Sequence, residues 1–316
     1  MPTHQHRGLQ PREAGLLALL TSVWGASFMF IKVAVDDLSP VGVAVGRLLL
    51  ATATIGGWLL FRRGRSGVRA MVAGIRPAQA AVFAGTGSAA PFLLIAWAET
   101  RITSSLAGIL NASIPLIAAG MALYLRTPDR IRGWRSAGLV VGFAGVALVA
   151  GGDLSGQPLG VAAMLGAAFL YATSAMLTRR WFAAVEPQAV ALVQVAVGTV
   201  LALPSLVFLR VDGVPPVSAV AALVGLGMGG TGFAYFLYYS LVSTAGPQHA
   251  VAVTYLVPVA AVVYGRAFLH EDISAISLVG MALILAGQVI TSLPGRRAPA
   301  TALASAANMA RLPENA

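Results

Sequence analysis

Residues 14–35 read AGLLALLTSVWGASFMFIKVAV. Coiled as an α-helix rising 1.5 Å per residue, this run reaches about 33 Å, enough to cross the ~30 Å hydrocarbon core of a bilayer. Its one charged side chain, Lys32, lies near the far end, where a long stem can carry the ammonium to the interface. A cleaved signal sequence has a shorter apolar region and a small-residue cleavage site, so the run is expected to stay as a first membrane helix.

Working outward, the same pattern returns along the chain. Apolar runs bounded by charge, proline or glycine are expected to be helices near 14–35, 40–61, 78–98, 103–125, 134–151, 158–178, 187–208, 217–241, 247–269 and 273–293. No run alternates with the period of two that a strand requires. Residues 1–13 read as a short N-terminal tail, and the polar, Ala/Pro-rich residues 294–316 as a disordered C-terminal tail. Composition fits the count. Of 316 residues 58% are apolar and 10% charged, and the mean hydropathy is +0.81. A soluble domain carries about 25% charged residues. Soluble enzymes, nucleic-acid-binding domains and disordered proteins are thereby excluded. The chain has no cysteine, hence no disulfide and no thiolate metal site.

The net charge of +10 sets orientation. With ten spans and the N-terminus inside, the cytoplasmic segments hold two arginines before the first run, five between the second and third, four between the fourth and fifth, two between the sixth and seventh and three after the tenth. The opposite side holds Arg101, Arg210 and Arg266. Sixteen against three is the asymmetry expected of cytoplasmic loops, and places both termini in the cytoplasm.

A weak internal repeat also shows. An offset of 143 carries Gly87 to Gly230, Ala107 to Ala250, Pro115 to Pro258 and Asp129 to Asp272. An offset of 142 carries Gly138 to Gly280 and Gly145 to Gly287, and one of 147 carries Pro40 to Pro187 and Arg47 to Gln194. Each half, 14–151 and 158–293, would hold five spans. Duplicating an odd number inserts the second copy upside down, an arrangement in which secondary transporters place their solute site near the midplane.

Further motifs carry a resemblance. Trp24-Gly25-Ala26-Ser27-Phe28 with Lys32, Pro40 with Arg47, Ser104-Ser105-Leu106-Ala107-Gly108-Ile109-Leu110-Asn111-Ala112 with Pro115, and Tyr255-Leu256-Val257-Pro258-Val259 with Glu271, Gly280 and Gly287 are similar to the EamA-type members of the drug/metabolite transporter superfamily. The first half departs at Pro128, where a glutamate is often found. The resemblance implies an all-α bundle of ten transmembrane helices in two inverted five-helix repeats. It also implies a central cavity opening alternately to each side, a place in a bacterial inner membrane, and export or exchange of small metabolites, amino acids or drugs.

Candidate solute contacts follow. Arg47 lies about 10 Å into the second run, where a charge is costly and faces either a cavity or a partner. It is a candidate for a carboxylate or other anion; pairing with Asp36, Asp37 or Glu99, or snorkelling, is the structural alternative. Asn111, mid-run, bridges helices or meets solute. Trp24 and Ser27 share a helix face, with Phe28 beside them. Tyr235 and Tyr239 share another, with Tyr255 in the next run, and serve as packing or as site. Gln194, matched to Arg47, gives an asymmetric polar cavity; Tyr171 and Gln288 are weaker candidates. Glu99 is a candidate for a coupling proton or an interfacial pair with Arg101 or Arg47. Glu271 and Asp272 read as a solvated loop cluster near Arg266 and His270.

The glycines of 225–232 satisfy G-x-G-x-x-G twice, but within a span and with no acid before Glu271, so nucleotide binding is not expected. The sole lysine follows Ile31, so there is no phosphate-binding P-loop. No cofactor or metal is expected, and the partners are a small-molecule solute and the lipid bilayer, with no nucleic acid. Glycine-rich faces are compatible with a homodimer without requiring one. The cavity helices are expected to be the first four and the sixth to ninth, with the fifth and tenth peripheral. The rival classes, a structural or regulatory membrane protein and an intramembrane enzyme, require no solute flux or a cluster of acids, bases or ligands in a span.

Overall fold

The computed structural model describes residues 10–127, 133–152, 158–210, 213–245 and 247–293. Both tails beyond these, and Pro128, lie outside the described residues. Ten helices follow one another: α1 (Pro11–Val35), α2 (Pro40–Val72), α3 (Pro77–Glu99), α4 (Ser104–Tyr124), α5 (Gly133–Gly152), α6 (Pro158–Trp181), α7 (Pro187–Phe208), α8 (Val217–Val242, running on to Ala245), α9 (Pro247–Phe268) and α10 (Ala275–Ser292). No strand occurs among the described residues. Nine of these helices are long and apolar enough to cross a membrane, and α9 adds an apolar helix over Ala252–Phe268.

Local chemistry explains where they start. Pro11, Pro40, Pro77, Pro158, Pro187 and Pro247 each open a helix, where the fixed φ suits the first turn and the missing N–H had no partner to lose. Thr103 and Ser274 cap α4 and α10 by accepting from Leu106 N at 3.2 Å and Ser277 N at 3.1 Å. Outward faces are apolar: Phe143, Val140 and Val279 stand exposed, as side chains against lipid must.

Two elements depart from the expected boundaries. The second helix does not stop at residue 61. It bends at Gly64 (φ 68°) and continues to Val72, with the Arg63 guanidinium reaching the carboxylate of Glu186 and, at 3.2 Å, Gln188 Oε1. The fourth is not continuous: Ser104–Asn111 and Ile114–Tyr124 are separated by a turn at Ala112 and Ser113. Pro115 has no N–H to give the preceding turn, and the ladder opens there.

Helices α3 and α8 each widen into a π-helical segment, Gly85–Ala89 and Gly225–Phe233. Gly87 and Gly230, 143 residues apart, sit within them. The contacts of the two segments match in kind. A Cβ at Gly87 would strike the Ser174 hydroxyl, and one at Gly230 would lie 2.6 Å from the Ser27 hydroxyl; Ser174 follows Ser27 by 147 residues. Thr52 and Thr199, also 147 apart, hydrogen-bond to each other at 2.9 Å.

Helices α5 and α10 pack chiefly on one another. Their backbones touch through glycine: a Cβ at Gly138 would lie 2.6 Å from Gly287 O, and one at Gly145 would lie 2.7 Å from Gly280 O. Small residues are what permit helices to close to this distance in a membrane. Replacing Gly287 with alanine should cost roughly 1–3 kcal/mol through overpacking, read as a lower thermal midpoint in detergent. Gly57→Ala, where a Cβ meets nothing within 4 Å, should leave the midpoint unchanged or raise it.

Candidate functional site

A cavity of about 300 Å³ opens between the helices. Trp24, Ser27, Phe28 and Ile31 come from α1, Arg47 from α2, and Gly87, Phe92 and Ile95 from α3. The α4 turn adds Asn111, Ala112, Ile114 and Pro115. From the other half come Tyr171 of α6, Gln194 of α7, Gly230, Thr231 and Tyr235 of α8, and Thr254 and Val257 of α9. Neither α5 nor α10 reaches it.

Arg47 is the one charged residue in this lining. It is 9% exposed. Its Nε donates to Thr231 Oγ1 at 2.8 Å, and its guanidinium lies 3.8 Å from the ring centre of Phe92. Among the described residues no carboxylate pairs with it: Asp36 faces Lys32 at 3.9 Å instead. Gln194, at the matched place in the second half, donates through Nε2 to Gly87 O at 2.6 Å. Thus Arg47 is tied to the π segment of α8 and Gln194 to that of α3. Ser88 Oγ donates to Gln194 O at 2.8 Å, and Ser88 precedes Thr231 by 143 residues. One frame therefore holds an arginine on one side and an amide on the other.

The remaining candidates divide. Tyr239 and Tyr255 lie outside this lining. Tyr239 stacks on Tyr235 with ring centres 6.0 Å apart and packs edge-on to Tyr238; the Tyr255 hydroxyl donates to Ser292 Oγ at 3.1 Å. Glu99 also stands apart from the cavity. It is 0% exposed, and neither of its carboxyl oxygens has a hydrogen-bond partner. Lys32 donates at 2.9 Å to its backbone carbonyl rather than its carboxyl. Arg101 does not pair with Glu99 either; it lies over Trp97, 3.6 Å from the ring centre. Gln288 is buried in α10, and its Nε2 donates to Ala112 O in the α4 turn.

Sequence reasoning passed over Phe92, Thr231 and Thr254, which look like ordinary span residues. The glycine spacing of 225–232 was a partial signal: it marks the π segment that presents Gly230 and Thr231 to the cavity.

The pattern of the EamA-like transporter family matches residues 13–151 and again residues 158–293. This chain belongs to the EamA-like transporter family. It is a multi-pass membrane transporter of that family. An uncharacterized inner membrane transporter of Escherichia coli K12, YedA, is 26% identical, with 88% of this chain and 90% of the relative covered. A probable terminal-alkyne amino-acid exporter of Streptantibioticus cattleyicolor is 28% identical, with 89% and 97% covered. A crystal structure of a protein 18% identical in sequence shares the fold, with a TM-score of 0.64 over 92% of this chain and 100% of the other.

Glu271 of this EamA protein corrects the expectation of a solvated loop. Asp272 does form an exposed pair with Arg266 at 3.2 Å, but Glu271 turns inward. Its carboxylate accepts from Ser104 N at 2.7 Å, Ser105 N at 2.9 Å and Ser105 Oγ at 2.5 Å. It thus caps α4 from the far half of the chain, filling orphan donors at the positive end of a helix dipole. A Cβ at Gly265 would strike both Ser105 Oγ and Glu271 Oε2, so a glycine is needed beside the cap. Glu271→Gln keeps the shape and removes the charge. Hydrogen exchange at the Ser104 and Ser105 amides should quicken by about tenfold, or ~1.4 kcal/mol, while exchange in α5 stays unchanged.

Proposed function

We propose that this protein is a secondary transporter that carries small organic solutes out of a bacterial cell across the inner membrane by alternating access. Two inverted five-helix repeats, 14–151 and 158–293, rock about the cavity. The observation that carries the reading is the lining itself. Four helices of each half contribute, and the two that do not, α5 and α10, form a separate pair. The inverted relation is supported by the matched contacts: Gly138 meets Gly287 while Gly145 meets Gly280, the exchange of partners a two-fold axis produces. Termini in the cytoplasm are supported by the sixteen-to-three distribution of arginines.

A carrier rather than an intramembrane enzyme is supported by the lining, which contains no acid and no histidine. Efflux is supported by the relative named as an exporter, and the inner membrane by the one named as an inner membrane transporter. Arg47 and Asn111 are taken as the polar solute contacts, with Trp24, Phe28 and Tyr235 as walls. Glu99 is taken as the coupling group, on the strength of its complete burial and bare carboxyl.

Proteoliposomes tested with a broad metabolite panel should move at least one solute in a saturable way. Arg47→Ala and Asn111→Ala, made separately in folded protein, should each raise the half-saturating concentration by about tenfold or more. No flux of any solute would overturn the transporter mechanism, and unchanged affinity in both variants the assignment of the site. Glu99→Gln should preserve downhill exchange and abolish accumulation driven by a pH gradient; undiminished accumulation would remove Glu99 from coupling.

A further inference from the structure

We infer that the solute is a small monocarboxylate with an apolar body, and that an amino group on it is not recognised. This deepens the transport reading and rests on the same cavity.

The charges decide the class. The lining carries one cation, Arg47, and no acid. Arg47 is nearly enclosed, and a buried guanidinium without an anion is costly. Its Nε is occupied by Thr231 and one face by Phe92, but its two terminal nitrogens make no hydrogen bond among the described residues. These two nitrogens are the fork that grips a carboxylate with two parallel bonds. Glu99 is not bonded to Arg47 and does not border the cavity.

The neighbours decide the rest of the molecule. Phe28, Ile31, Ile95 and Val257, with Trp24, give the lining an apolar share, suited to an alkyl or aryl body. The volume of about 300 Å³ is at the small end of ligand pockets, roughly 300–1,000 Å³. A zwitterion would bring an ammonium that no carboxylate in the lining can neutralise. The Asn111 amide, which makes no hydrogen bond among the described residues, offers a dipole and not a charge. The net complement of the site is therefore one negative charge on the solute, placed at Arg47.

The test uses the purified full-length protein in lipid nanodiscs, with binding followed by calorimetry. Four probes share one aryl body: 3-phenylpropanoate, 3-phenylpropanamide, phenylalanine and 2-phenylethylamine. The carboxylate should bind about tenfold or more tighter than the amide and the amine, and at least as tightly as phenylalanine. Arg47→Gln should erase the preference for carboxylate over amide, and Arg47→Lys should keep part of it. Should Arg47→Gln fail to fold, the four-probe order on the unaltered protein decides alone. Amide or amine binding that equals the carboxylate overturns the inference, as does binding of none of the four. Phenylalanine binding about tenfold tighter than 3-phenylpropanoate overturns the statement on the amino group. In each of those cases the metabolite panel in proteoliposomes still decides the transport reading, because it asks only whether any solute moves.

Discussion

Inside a bilayer a backbone amide has no water to turn to, so each N–H and C=O must be satisfied by the protein. That constraint orders this molecule. It makes every span a helix, and it limits where a helix can be irregular. Among the described residues, the departures from α-geometry within spans include the π segments of α3 and α8 and the turn in α4. All three border the cavity. Gly87 O, loosened in the first segment, takes a bond from Gln194, and Ala112 O, at the turn, takes one from Gln288. Irregular backbone is bought with side-chain amides, and the result is a polar surface at depth in an apolar bundle.

A near-symmetric frame then carries an asymmetric charge. Ser27 and Ser174, Gly87 and Gly230 occupy matched places with matched contacts, and Ser88 and Thr231 meet residues at matched places, Ser88 donating to the Gln194 backbone and Thr231 accepting from the Arg47 side chain. Arg47 and Gln194 break the match in one step, from cation to amide. Both reach across to a π segment of the opposite half, so the substitution changes the field of the cavity without changing its architecture. This separates how the halves fit from what they hold.

Much of this was legible in the chain, for a physical reason. Span count depends on long apolar runs and arginine placement, both of which are one-dimensional; hence the ten helices, whereas the eight around the cavity followed from the resemblance to a family of inverted-repeat transporters. Trp24, Ser27, Phe28, Arg47, Asn111, Gln194 and Tyr235 could be picked because a polar or aromatic group at mid-span is conspicuous. Tyr239 and Tyr255 were equally conspicuous and face elsewhere, since which side of a helix is inward depends on neighbours that spacing does not reveal. Glu271 was misjudged for a related cause. Its loop position suggests water, and only the fold brings the N-terminus of α4, 166 residues away, within reach. The breadth of α2 past residue 61 was hidden by charge: arginines that end an apolar run need not end a helix.

The glycine-to-glycine contact of α5 and α10 has a consequence for how such a protein can change over time. Where two backbones touch, there is no side chain to trade, so that seam is nearly closed to variation. Around the cavity the same ban falls on Gly87 and Gly230, where a Cβ would meet serine hydroxyls, while the larger inward side chains of those eight helices border open space. Innovation and conservation are thereby assigned to different segments of one chain. A descendant can acquire a new cargo by altering a handful of inward side chains while its seam passes on unaltered.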